Sequence, residues 1–112
     1  MEDCLFCKII AGQIPGDKVY ENEFIYAFRD IDPQAPTHVL IVPKEHMQDM
    51  MDPRAPQAIA HMTEAAQAIV RSENLEQAGF RAVLNTGVDG GQSVPHLHMH
   101  LLGGRSLQWP PG

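Results

Sequence analysis

The stretch Ser93–Gly104, SVPHLHMHLLGG, sets three of the chain's six histidines at alternate positions, His96, His98 and His100. On a helix, residues two apart point roughly 200° away from each other, whereas on a strand they share a face. The three imidazoles therefore converge only if the segment is extended. Leu97, Met99 and Leu101 fill the opposite face, and a slip of one residue would bury the imidazoles, so the pattern specifies its own register. Consecutive members of the row lie about 6.5–7 Å apart, a line rather than the compact tetrahedron that one zinc prefers. A polar strand face or an adventitious metal tract is the plain alternative. Three imidazoles in register fit phosphoryl chemistry better: neutral imidazole is a good nucleophile toward phosphorus. With a pKa of about 6.5, a second imidazole can supply a proton at neutral pH.

The residues just before the row support that reading. NTGVDGGQSVPH, Asn85–His96, carries Gly87, Gly90 and Gly91, which let backbone N–H groups turn inward, and Gln92 and Ser93 add side-chain donors. Such a concavity suits a phosphate. A glycine-rich loop alone is weak support, and its place immediately before three histidines is what strengthens it. His38, at the start of another apolar run, is a candidate for the same site or a satisfied structural histidine.

The rest of the chain predicts the scaffold. A short turn or helix at Leu5–Ile10 precedes QIPGDKVYENEFIYAFRDIDP, in which Val19 and then Phe24, Tyr26 and Phe28 mark a two-stranded hairpin broken at Glu21-Asn22-Glu23. THVLIVP, Thr37–Pro43, is nearly continuous in apolar character, as a central strand covered on both faces requires. From Pro56 to about Leu75 the spacing of Ile59, Met62, Ala66, Ile69 and Val70 predicts the one long helix, with His61 off its apolar stripe as a surface residue. FRAVLNTG and HLHMHLLG then alternate as strands four and five. The fold class is α+β: an antiparallel five-stranded sheet with one long helix and a short N-terminal helix.

At 112 residues, 44% hydrophobic and 20% charged, the chain fits one domain, 1–112. A net charge of −6 argues against nucleic acid or anionic lipid as partner and for a small ligand held locally. No apolar run approaches the length of a membrane span, and the acidic start MEDCLFCKIIAG lacks a secretory signal, so the cytoplasm is the expected compartment. Cys4 and Cys7 form a Cys-x-x-Cys pair, which in a reducing compartment favours zinc or redox chemistry over a structural disulfide. No thioredoxin-like βαβ unit follows to support redox. Two cysteines do not close a zinc site, and His46 and His96 are the available completing ligands; two buried thiols without metal is the alternative.

Taken together these residues resemble the histidine triad (HIT) family, whose signature His-x-His-x-His followed by two apolar residues is matched by HLHMHLL. The likeness runs through DIDPQAPTHVLIVPKEH, LNTGVDGGQSVPHLHMH and the closing GGRSLQWPPG, and the length and tail look like the Hint branch. The resemblance implies a homodimer whose sheets join, and hydrolysis of purine nucleoside 5′-phosphoramidates through a covalent nucleotidyl-histidine. By the same resemblance His98 is the nucleophile, and His100 binds the phosphate and helps protonate the departing amine. His38 and His96 complete the histidine network. Asn85, Gly91, Gln92 and Ser93 hold phosphate or ribose, Ser93 counting among the catalytic set, and Asp30 binds the ribose hydroxyls. Phe28, Ile31 and Leu40 line the base pocket, and Trp109 reaches toward the partner subunit. Cys4, Cys7 and His46 match the zinc-bearing pattern, with His96 as fourth ligand to a structural Zn2+. A nucleotide-binding module with residual catalysis and a metal-dependent hydrolase are the competing functions. His96 stands between metal and active site.

Overall fold

The nearly continuous apolar run of β3 (Thr37–Pro43) is buried along its whole length. In the computed structural model, which describes residues 3–112, strands cover both its edges and helices both its faces. Met1 and Glu2, at the head of the acidic start, lie outside the described residues. The elements run α1 (Leu5–Ile10), β1 (Lys18–Glu21), β2 (Ile25–Arg29), β3, α2 (Ala55–Ser72), β4 (Phe80–Leu84), α3 (Gly87–Gly90) and β5 (Met99–Gly103). The sheet order is β1-β2-β3-β5-β4 with every neighbouring pair antiparallel. The expected five-stranded antiparallel sheet with one long and one short helix is therefore the observed fold. After the β1–β2–β3 meander, α2 carries the chain over the sheet to β4, and β5 returns into the gap.

Alternation along the central strands sorts side chains between two cores. Val39 and Ile41 of β3 and Leu97, Met99 and Leu101 pack against Met62, Ala66, Ile69 and Val70 of α2. Leu40 and Val42, one residue out of phase, meet Phe6 and Ile9 of α1. Because Leu101 pairs with Val39 and Ala82, and His100 with Leu40 and Val83, the ladder places His100 on the α1 side. Gly103 ends β5 where a Cβ would stand 2.7 Å from Leu75 Cδ1, so any side chain there requires Leu75 to shift.

Several local expectations need correction. On β2, the residues facing α2 are Ile25 and Ala27, both fully buried, while Phe24 lies outside the strand and exposed; Tyr26 and Phe28 belong to the α1 side. A strand covered on both faces has no polar face to betray its phase. On α2, Ala55, Ala58 and Ala65 join the buried stripe, and Ile59 is only partly covered. His61 is half-buried rather than a free surface group, its ring stacked on Phe24 with centroids 3.9 Å apart. The fifth strand begins at Met99, not His96: Pro95 has no N–H for a ladder, the His96 N–H bonds Val94 O, and the Leu97 N–H goes to Met47 O. The loop before it contains the short α3, closed by Gly91 in the left-handed region at φ 79°. Among the described residues no helix is long and apolar enough to cross a membrane.

Candidate active site

Each imidazole of the row has one ring nitrogen committed to a neighbour, and that assigns the tautomers. The His98 Nδ1–H donates to the His96 carbonyl at 2.7 Å, leaving the Nε2 lone pair free. The Gln34 N–H donates to His38 Nδ1 at 3.0 Å, so His38 carries its proton on Nε2 and donates it to His100 Nδ1 at 2.9 Å. His100 then holds its proton on Nε2, as a free donor. The two central imidazoles thus differ: His98 offers a lone pair and His100 a proton. Burial lowers the pKa of His38 and His98. His100 is held down to about 4 by burial, then by His98 and His38. All three are neutral at pH 7.

Both groups open into a cleft of about 620 Å³ between the sheet and α1, which is also lined by Asp30, Ile31, Phe28, Leu40 and Ser93. Asp30 Oδ1 accepts from the Asp32 N–H, and its Oδ2 lies 3.4 Å from His38 Nε2. The apolar end, Phe28 and Leu40, is buried, and Ile31 stands fully exposed at the mouth. The cleft thus has an apolar end, a carboxylate, a lone pair and an imidazole proton, a set suited to a ligand with a flat apolar group and an electrophilic anion.

The second constellation sits at the head of α1. Cys4 Sγ lies 3.2 Å from His96 Nδ1, Cys7 Sγ 3.4 Å from His46 Nδ1 and 3.6 Å from His96 Nδ1, and the two Nδ1 atoms are 3.2 Å apart. The four donor atoms all lie within 4.8 Å of one another. The His96 Nε2–H donates to Pro43 O at 2.9 Å, which turns the Nδ1 lone pair into the cluster. Burial holds His96 down to about 4 and also lowers His46, so both rings are in the neutral, ligating form. Two thiols and two imidazole lone pairs at these spacings are compatible with tetrahedral Zn2+. Asp30, His38 and His100 also approach within 4.8 Å, but the hydrogen bond between the two imidazoles uses the His100 Nδ1 lone pair that a metal there would need.

His96 therefore has its ring in the cluster and its carbonyl on His98, and it serves both constellations. Other expected residues stand apart from the cleft lining: Asn85, Gly91, Gln92 and Trp109, the last 80% exposed on the tail. The amides of Gly91 and Gln92 bond Val88 O and Gly87 O. Gln92 Oε1 accepts from the Gly87 N–H, and its Nε2 donates to Gln48 O and Val94 O. Gln92 braces the loop, and what the loop offers the cleft is Ser93 and Val94. Unforeseen were Leu5, Phe6, Ile9 and Ile14, which form the opposite wall. For Leu5, Phe6 and Ile9 the signal was the apolar spacing of the first helix, but nothing local tells which face of the sheet it covers.

The HIT domain family model matches residues 11–107. The chain is 46% identical over 108 residues to the purine nucleoside phosphoramidase of Escherichia coli, covering 95% of this chain and 91% of that protein. It is also 46% identical over 114 residues to the 14 kDa zinc-binding protein of Zea mays, covering 96% and 87%. The crystal structure of a HIT family hydrolase from Legionella pneumophila superposes with a TM-score of 0.93 at 46% identity, over 98% of this chain and all of that one.

Proposed function

Since the chain belongs to the HIT domain family, we propose that it is a purine nucleoside phosphoramidase, hydrolysing the P–N bond of a nucleoside 5′-phosphoramidate through a nucleotidyl-histidine on His98. The observation that carries the reading is the division of labour in the cleft: a free Nε2 lone pair on His98 and a free Nε2–H on His100, assigned by their partners. The name of the Escherichia coli relative supports the substrate class.

In this reading the base lies against Phe28, Leu40 and Ile31, and Asp30 takes the ribose hydroxyls. Ser93, with Asn85, Gly91 and Gln92 shaping its loop, faces the phosphate. His98 Nε2 attacks phosphorus and the P–N bond breaks toward the amine. That amine accepts a hydrogen bond from the Nε2–H which the His38–His100 pair leaves free on His100, and it leaves with a proton taken from water. Water then displaces the nucleotide from His98, releasing the nucleoside monophosphate and returning a proton to solvent. The preset tautomers remove the cost of reorganising the imidazoles during reaction. Cys4, Cys7, His46 and His96 would hold a structural Zn2+, whose contribution is to cross-link the fold. Residues 1–112 form one HIT domain, acting as a homodimer in the cytoplasm, with Trp109 reaching the partner's cleft.

The test is turnover of adenosine 5′-phosphoramidate. His98→Ala loses at least about a thousandfold in kcat, and wild type trapped with substrate carries nucleotide on His98. Unchanged turnover in the variant removes His98 from its role; tight nucleotide binding without a covalent adduct makes the protein a binding module instead.

A further inference from the structure

We propose that the Cys4, Cys7, His46 and His96 set positions the nucleophile, with Phe6 as the positioning residue, so that occupancy of the metal site is read inside the cleft. The proposal rests on the reading of His98 and the cleft given above, and it concerns what the metal ligands do beyond cross-linking the chain.

Two physical paths join the cluster to His98. The first runs through His96 alone: its Nδ1 lies among the ligand atoms, its Nε2–H is tied to Pro43 O, and its carbonyl receives the His98 Nδ1–H. Fixing the His96 ring fixes the main-chain acceptor that sets the His98 tautomer.

The second runs through α1. Its six residues are too few to persist as an isolated helix, and its first turn is capped by Cys4 Sγ, which accepts the Cys7 N–H at 3.3 Å. Phe6 lies between the two cysteines. Its ring stands edge-on to His98 with centroids 5.0 Å apart and planes at 82°, and it also touches the rings of His96 and Phe28. The hydrogen bond to His96 holds one atom of the His98 ring but leaves it free to tilt about that bond. The Phe6 contact removes this tilt.

Leu5, Phe6 and Ile9 are also the cleft wall. A metal on the four ligands therefore clamps that wall to His46 and His96. Without it, α1 rests on the sheet mainly through the small cluster around Phe6, Ile9, Phe28 and Leu40. The larger core lies on the other face of the sheet, under α2. Loss of the clamp loosens the cleft and leaves that core in place.

The experiment uses the full chain with its zinc content counted, and reads two signals: the ring-nitrogen NMR shifts of His98 and the Kd for adenosine 5′-monophosphate. In zinc-loaded wild type, His98 shows the single Nδ1-protonated tautomer. Removing zinc with a chelator averages the two tautomers and weakens nucleotide binding about tenfold, with the circular dichroism of sheet and α2 retained. Phe6→Leu keeps every ligand and an apolar side chain; it still binds zinc, yet shows the same averaging and a weaker Kd. Phe6→Leu at full zinc occupancy with wild-type signals overturns the proposal, as does folded, zinc-free protein that matches the loaded form. If chelation unfolds the chain, Phe6→Leu decides alone. Loaded wild type that binds no nucleotide defeats the functional reading instead, and the His98 shifts then decide the positioning question by themselves.

Discussion

His98 is nearly inaccessible to water, yet it lines a cleft, with its Nε2 lone pair free. Burial disfavours the imidazolium, so the ring takes up a proton only at a pH below the ordinary range. In the proposed mechanism His98 attacks unprotonated, and a lowered pKa moves the loss of activity to lower pH. The acid limb of kcat/KM for phosphoramidate hydrolysis is therefore expected below pH 6.5, with a plateau through pH 7; a limb centred above pH 7 contradicts the assignment. Much of this was legible in the chain: the i, i+2 spacing of His96, His98 and His100 put them on one side, and Leu97, Met99 and Leu101 on the other. What spacing did not reveal is which nitrogen each ring offers. That depends on Gln34, Pro43 and His96 backbone groups, whose positions follow from packing.

At the scale of elements, β5 is the keystone of the sheet, entering last and between β3 and β4. Leu101 sits at its middle, fully buried, paired with Val39 and Ala82 and packed in the core under α2. Leu101→Ala is expected to cost about 2–5 kcal/mol through lost burial and a residual cavity, measured by urea unfolding. Leu102→Ala, next along but half-buried on the other face, is expected to cost less. Equal losses would mean the alternation does not divide the strand as described. Apart from the short α3, the existence of the elements was plain in the periodicity of the chain, and their phase was not where both faces are apolar. β2 carries Ile25 and Ala27 to one core and Tyr26 and Phe28 to the other, so no polar residue marks a face.

For the whole molecule, the two sheet edges differ. β1 is short, interrupted by a register shift, and carries Lys18 and Glu21 with Lys44 bonded beside them, all features that discourage pairing. β4 has an exposed Phe80 and the apolar Ala82, and it lies beside the tail that Arg81 holds through Gln108 O. If the proposed dimer joins the sheets, β4 is the seam; sedimentation of wild type then gives twice the mass of the chain, and Phe80→Glu shifts it toward one chain. A variant that stays dimeric rules out this edge. The sequence by itself determined the alternating strand, the buried β3, the long helix and the four metal-compatible residues, because these rest on local periodicity and on the chemistry of side chains. Only the tertiary structure decided that α1 closes the cleft, that Gln92 braces its own loop, and that His96 links the Cys4–Cys7–His46 cluster to His98. Those facts are contacts between distant segments, such as Cys4 with His96 across 92 positions, and no local pattern encodes which of two apolar faces a helix will cover.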